Sequence, residues 1–98
     1  MVAVAFLIFE AFVDAGVRAG LPRAIATELV LQCFSGSVEM MRKTGKHTAV
    51  LRDEVTTPGG CTINGLMQFE LGNLRAVVNQ AIEVTAKVAA QLGRPIAK

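Results

Sequence analysis

Thr56-Thr57-Pro58-Gly59-Gly60-Cys61-Thr62-Ile63 is the stretch that decides how this chain is read, because helical spacing breaks and restarts across it. Thr57 is a residue type that caps a helix with its hydroxyl. Pro58 suits the first helical position, where its missing N–H would be unpaired anyway. This predicts a helix starting at Pro58, with both glycines inside its first turn, each costing about 1 kcal/mol relative to alanine. Glycines at a helix start point to something approaching the backbone closely. The free N–H groups of a first turn and the positive end of the helix dipole together favour an anion. Two uses of the stretch stay open. It is a small carboxylate or phosphate cradle flanked by Thr57 and Thr62, or a tight turn whose glycines let two helices touch.

Downstream, the same helix runs to about Leu71, with Ile63, Leu66, Met67 and Phe69 as packing positions. Gly72 suits its C-cap, and Asn73 suits the N-cap of a last helix from about Leu74 to Leu92. There Leu74, Val78, Ala81, Thr85, Val88 and Leu92 recur at spacings of 4, 3, 4, 3 and 4. This heptad-like seam would pack against a neighbouring helix or its own symmetry mate. Gly93 and Pro95 stop the helix, and Arg94 to Lys98 read as a loose tail.

Upstream, Val2 to Ala19 reads as a helix that is apolar around most of its circumference. Phe6, Phe9, Val13 and Val17 follow helical spacing, as do Ala5, Phe12 and Gly16. Glu10, Asp14 and Arg18 form a thin polar stripe, the pattern of a core helix buried on several sides. Gly20 suits a C-cap, and Pro22 restarts the chain at a first-turn position. A second helix follows from about Pro22 to Thr44, closed by Gly45. Its polar face is Glu28, Gln32, Ser35, Glu39 and Arg42, opposite Ile25, Leu29, Val30, Cys33, Phe34, Val38 and Met41. Ser35-Gly36-Ser37 is a small-residue step that either permits close helix approach or merely weakens the helix. A short helix from about Thr48 to Val55 has Leu51 and Val55 as anchors. His47, the chain's one histidine, precedes it as a surface or capping residue, with proton transfer as the alternative. With no second histidine and two cysteines not spaced as ligands, a metal site is not expected. No period-2 alternation bounded by turn signals is present, so the fold class is all-α, five helices in one domain spanning residues 1–98.

Composition adds a partner. In 98 residues, 52% are hydrophobic, mean hydropathy is +0.47 and only 18% are charged. So small a body cannot hide that much apolar surface alone, which predicts an obligate oligomer. The net charge of +2, without a Lys/Arg cluster, Trp or Tyr, argues against a nucleic-acid surface. Cys33 and Cys61 could in principle pair, but without a secretory signature they read as buried, reduced thiols. Glu10 and Asp14 interrupt the apolar run Val2–Phe9 well short of a membrane span of about 20 residues. The expected compartment is the cytoplasm, and a mitochondrial one is also compatible. No Gly-x-Gly-x-x-Gly, Walker or Gly-x-Ser-x-Gly motif is present, so nothing here holds a dinucleotide in the Rossmann manner.

The ordered motifs resemble one family. Asp53-Glu54-Val55-Thr56-Thr57-Pro58-Gly59-Gly60-Cys61-Thr62-Ile63 is similar to the signature Asp-x-Val-x-Ser-Pro-Gly-Gly-Thr-Thr-Ile of pyrroline-5-carboxylate reductase. Glu10-Ala11, Asp14-Ala15-Gly16-Val17 and Gly20-Leu21-Pro22-Arg23 resemble the first helix and turn of that family's C-terminal domain. Thr44-Gly45-Lys46-His47 is similar to its Thr-Gly-x-His-Pro, and Leu51-Arg52-Asp53 to its Leu-Lys-Asp. The resemblance runs from about Ala3 to Gly93. It departs from the family where Met1-Val2 stand in place of Gly-Pro, and where Thr48 replaces a proline.

The resemblance implies reduction of 1-pyrroline-5-carboxylate to L-proline with NADPH or NADH, the last step of proline biosynthesis. It implies a helical domain that interlocks with its copy into a homodimer, often assembled further into a decamer, beside a Rossmann domain that these residues do not include. The cofactor would be bound mainly by that other domain, the chain being a C-terminal part, inactive alone. By matching position, the substrate carboxylate would be held by the Thr57 hydroxyl, the backbone at Gly60 and Cys61, and the Thr62 hydroxyl. Thr62 is also the candidate catalytic group, its hydroxyl near the ring nitrogen helping to protonate it, with water or the substrate as the alternative proton supply. Two other function classes remain beside this one: a non-catalytic helical dimerisation module, and an unrelated helical bundle.

Overall fold

The computed structural model describes residues 1–93, so the expected tail at Arg94–Lys98 lies outside the described residues. The helical reading is correct in kind: five α-helices and, among the described residues, no strand. They are α1 Val2–Arg18, α2 Arg23–Thr44, α3 Thr48–Glu54, α4 Cys61–Leu71 and α5 Leu74–Gln91. The chain divides into two compact units, one over residues 2–51 and one from Arg52 onward.

In the first unit α1 ends as its sequence asks. Gly20 takes φ 112°. The Gly20 N–H donates to Val17 O at 3.0 Å and the Leu21 N–H to Gly16 O at 3.0 Å, the paired bonds of a Schellman motif. Pro22 is the N-cap of α2 rather than its first residue: its φ/ψ of −58°/143° is extended, and its carbonyl accepts the Ala26 N–H at 2.9 Å. Gly45 closes α2 at φ 65°, its N–H on Met41 O.

The two helices lie antiparallel against one another, as their pairings show. A Cβ on Gly16 would stand 3.1 Å from Ala26 Cβ, and Ala26 is only 1% exposed. Further along, Phe34 packs edge-to-face with both Phe9 and Phe12, with centroids 4.8 and 5.1 Å away and planes at 82° and 87°. Each such pair is worth about 0.5–1.5 kcal/mol beyond its burial. Arg23 bridges back to Asp14 at 2.9 Å, with both side chains more than half exposed. Screening by water holds that pair to about 1 kcal/mol at most.

The expectation that α1 is buried on several sides is not met within the protomer. Val13 is its one buried residue, while Phe6 and Leu7 are each 65% exposed. The chain has too few elements to cover a helix that is apolar all round. An open groove of about 500 Å³ also remains beside Phe9, Leu31, Phe34 and Val38. Nothing approaches Gly36 within 4 Å of a Cβ position, so Ser35-Gly36-Ser37 is not a close-approach step inside this chain.

His47 caps α3. Its carbonyl accepts from Val50 and Leu51 N–H at 3.0 and 3.2 Å, and its Nδ1 accepts from the Ala49 N–H at 3.0 Å. The proton of the neutral ring is therefore on Nε2. Leu51 is buried, as its anchor role requires. Val55 lies beyond the helix end and is 65% exposed, contrary to its expected packing role.

In the second unit α4 and α5 meet at Gly72-Asn73. The left-handed residue there is Asn73, at φ 59°, rather than Gly72, at φ −83°. Asparagine tolerates that region better than most side chains. The Asn73 side chain makes no cap bond to α5. No residue of α4 or α5 is fully buried. Leu66, Ile82, Ala86 and Ala89 are partly covered, whereas every member of the α5 seam, Leu74 through Leu92, is exposed.

Candidate functional site

The Thr57–Gly60 segment is a turn placed before α4, not the first turn of that helix. The Gly60 N–H donates to Thr57 O at 3.1 Å. Pro58 occupies the second position of this four-residue turn, and Gly59, at φ 69°, the third, which is the type II pattern. A right-handed helix cannot include a residue at that φ, so α4 begins at Cys61 with Gly60 as N-cap, φ/ψ −79°/177°. The expected cap at Thr57 and helix start at Pro58 are corrected accordingly.

The loop is held from its other side as well. Val55 N–H donates to Arg52 O at 3.3 Å, Thr56 N–H to Asp53 O at 3.2 Å, and Thr56 Oγ1 to Arg52 O at 2.6 Å. These bonds carry the chain off α3 and into the turn without an unpartnered stretch at Val55–Thr56.

Each glycine has its own reason. At Gly59 it is the positive φ, since a Cβ there would meet nothing within 4 Å. At Gly60 the φ suits any residue, but a Cβ would run into Thr57 Oγ1 and lie 3.3 Å from Thr57 O. The Thr57 hydroxyl therefore sits directly over the N-cap, at the mouth of α4, because Gly60 leaves the space.

No side chain caps α4. The N–H groups of Cys61, Thr62 and Ile63 consequently have no partner inside the helix. The turn thus gathers the Thr57 hydroxyl and these first-turn donors at one helix start, with the Thr62 hydroxyl on the first turn itself. Thr57, Cys61 and Thr62 are exposed, and Gly60 is half-buried. The Gly60 N–H, already engaged by Thr57 O, is not among the open donors. An array of donors with a dipole behind it and no acidic residue in the first helical turn suits an anion.

Sequence reading passed over Asn64. Its Nδ2 donates to Gly60 O at 2.9 Å, doubling the hydrogen bonding on the N-cap carbonyl. The available signal was an amide side chain four residues after the capping glycine.

The comparisons with known proteins agree with one another. The family model described as pyrroline-5-carboxylate reductase dimerisation matches residues 1–92. A pyrroline-5-carboxylate reductase of Arabidopsis thaliana is 46% identical over 89 residues, covering 91% of this chain and 32% of that protein. One from Synechocystis is 41% identical over 88 residues, covering 90% of this chain and 33% of that protein. The crystal structure of Plasmodium falciparum pyrroline carboxylate reductase with NADP bound superposes with a TM-score of 0.89 at 36% identity, over 93% of this chain and 35% of that one. The chain spans about a third of the length of the relatives it matches. With the match running through all five helices and the proline–glycine turn leading into α4, the chain belongs to the pyrroline-5-carboxylate reductase dimerisation family.

Proposed function

We propose that this chain is the dimerisation and substrate-carboxylate domain of a pyrroline-5-carboxylate reductase, which converts 1-pyrroline-5-carboxylate to L-proline with NADPH or NADH. The observation that carries the reading is the uncapped start of α4 with the Thr57 hydroxyl over its mouth. The carboxylate lies against that first turn, held by the Thr57 hydroxyl, the Cys61 N–H and the Thr62 hydroxyl. Gly60 contributes the space that Thr57 needs. Fixing the carboxylate orients the ring so that its C=N bond is presented in one pose. Reduction adds a hydride to the imine carbon and a proton to the ring nitrogen. Thr62 is the proposed catalytic group: its one hydroxyl proton points to the carboxylate while its oxygen accepts from the protonated ring nitrogen, the proton itself coming from solvent, to which Thr62 is exposed.

The hydride is the chemistry of the nicotinamide, and NADP is bound in the Plasmodium falciparum relative. The residues here do not fit that cofactor by the Rossmann route: among the described residues there is no strand, and the chain carries no Gly-x-Gly-x-x-Gly turn. The dinucleotide is therefore assigned to a separate domain, and these residues alone are inactive. Self-association is assigned to the exposed α5 seam together with the open apolar faces of α1 and α2, and dimers to a higher assembly such as a decamer. The cytoplasm is the proposed compartment, which fits Cys33 and Cys61 as unpaired thiols, though both are exposed within this chain rather than buried as expected. Among the described residues no helix is long and apolar enough to cross a membrane.

Titration with L-proline tests the site. Thr57→Ala and Thr62→Ala each remove a hydrogen bond to a charged group, worth about 1.5–3 kcal/mol, and should weaken binding about tenfold or more. Equal affinity in wild type and both variants refutes the carboxylate site, and is what a purely structural dimerisation module would give.

A further inference from the structure

We propose that Asn64 is a positioning residue for the carboxylate site, acting through the peptide group that joins Gly60 to Cys61. The inference rests on the reading above that the start of α4 holds a carboxylate. One peptide group carries both the Gly60 carbonyl and the Cys61 N–H. Its oxygen already accepts the helical N–H of Asn64, as an N-cap carbonyl does, and receives a second donor from Asn64 Nδ2 at 2.9 Å. Drawing electron density toward the oxygen makes the N–H of the same group a stronger donor, by about 10–30% per added bond. It also fixes the tilt of the peptide plane, and with it the direction in which the Cys61 N–H points.

Side chains in the interior of a helix bond backward to the carbonyl four residues earlier without this consequence. Ser37, Thr44 and Thr85 do so at 2.7, 2.7 and 2.8 Å, each inside a helix. There the N–H of the polarised peptide is already held by the helix ladder. At Asn64 the polarised peptide supplies the first N–H of α4, which has no intrahelical acceptor and no side-chain cap. Asn64 is exposed and supports no buried packing, so its removal leaves the fold in place.

Amide spectra and L-proline titration of the 98-residue chain test the proposal. In Asn64→Ala the Cys61 amide proton of the ligand-free protein should shift upfield, and L-proline affinity should fall about three- to tenfold, the scale of one net hydrogen bond. Asn64→Ser should restore both, because a serine reaches the carbonyl four residues back as Ser37 does. Wild-type affinity in Asn64→Ala, or a serine variant as weak as the alanine one, overturns the role of Asn64 and leaves the carboxylate reading standing. Absence of L-proline binding by the wild-type chain overturns both.

Discussion

Gly60→Ala offers the sharpest test of how the turn is built, because its cost should depend on a side chain three residues away. At φ/ψ −79°/177° an alanine suffers no backbone strain. Its Cβ would, however, collide with Thr57 Oγ1. The threonine must leave its rotamer, which costs about 0.5–1.5 kcal/mol. Alanine is also a poorer N-cap than glycine, which adds about 0.5–1 kcal/mol. The single variant should therefore lose about 1–2.5 kcal/mol in all. In a Thr57→Ala background the hydroxyl is gone and the nearest side-chain atom is the Cβ of residue 57 at 3.7 Å, ordinary contact, so what remains is the capping cost and the 3.3 Å approach to the backbone oxygen of residue 57, both common to the two backgrounds. The change in unfolded-chain entropy is common to both backgrounds and cancels in the cycle. The expected coupling is about 1 kcal/mol, against the 0.3–0.5 kcal/mol scatter of independent sites. Urea denaturation of wild type, both singles and the double, at one fixed protomer concentration, reads it directly. Additivity within the scatter would refute the claim that Gly60 exists to seat the Thr57 hydroxyl.

Other substitutions separate the remaining causes. Gly59→Ala has room for its Cβ but sits at φ 69°, so strain alone should cost about 1–2 kcal/mol in denaturation, whatever residue stands at Thr57. Gly16→Val would force methyls into Ala26, whose Cβ is already 3.1 Å from a Gly16 Cβ position, and overpacking there should cost about 1–3 kcal/mol in the same assay. Val78→Glu combined with Val88→Glu puts two charges in the α5 seam, and light scattering at micromolar concentration should show the monomer. An unchanged dimer would remove that seam from the interface.

The sequence made the helices legible for a physical reason. α1, α2 and α5 are long enough for the helical period to show, and their ends at Gly20, Gly45 and Gly93 follow the positive φ of single glycines. The start of α4 was not legible, because Thr-Pro-Gly-Gly serves two local structures equally well. Threonine and proline suit both the cap and first position of a helix and the first two positions of a type II turn. What separates them is the φ of Gly59, which the tertiary path of the chain sets. Asn64 escaped notice for a related reason. A side chain that returns to a carbonyl four residues back matters only once the identity of that carbonyl, here the N-cap, is known.

Magnitudes decide how far the α5 seam can account for self-association. Leu74, Val78, Val88 and Leu92 are 44%, 38%, 48% and 65% exposed. Full burial of such a side chain is worth about 1.5–3 kcal/mol, so covering the exposed half of each adds about 1 kcal/mol, or about 8 kcal/mol over two protomers. Association itself costs about 4–15 kcal/mol in lost freedom. The seam carries no polar penalty, since Thr85 Oγ1 is satisfied by Ala81 O at 2.8 Å. It is nevertheless marginal alone. Ile82, Ala86 and Ala89, the partly covered face, lie about a quarter-turn around α5 from the seam, so one protomer does not use the same surface twice. The proposed interface would draw the missing stabilisation from other uncovered apolar side chains: Phe6 and Leu7 at 65% each, Leu29 at 55%, and the groove beside Phe9 and Phe34. The proposed interface, recruiting α1 and α2 as well as α5, would account for a hydrophobic core that, among the described residues, comprises only Val13, Ala26 and Leu51 within a protomer. In that proposed dimer much of the core would be intermolecular.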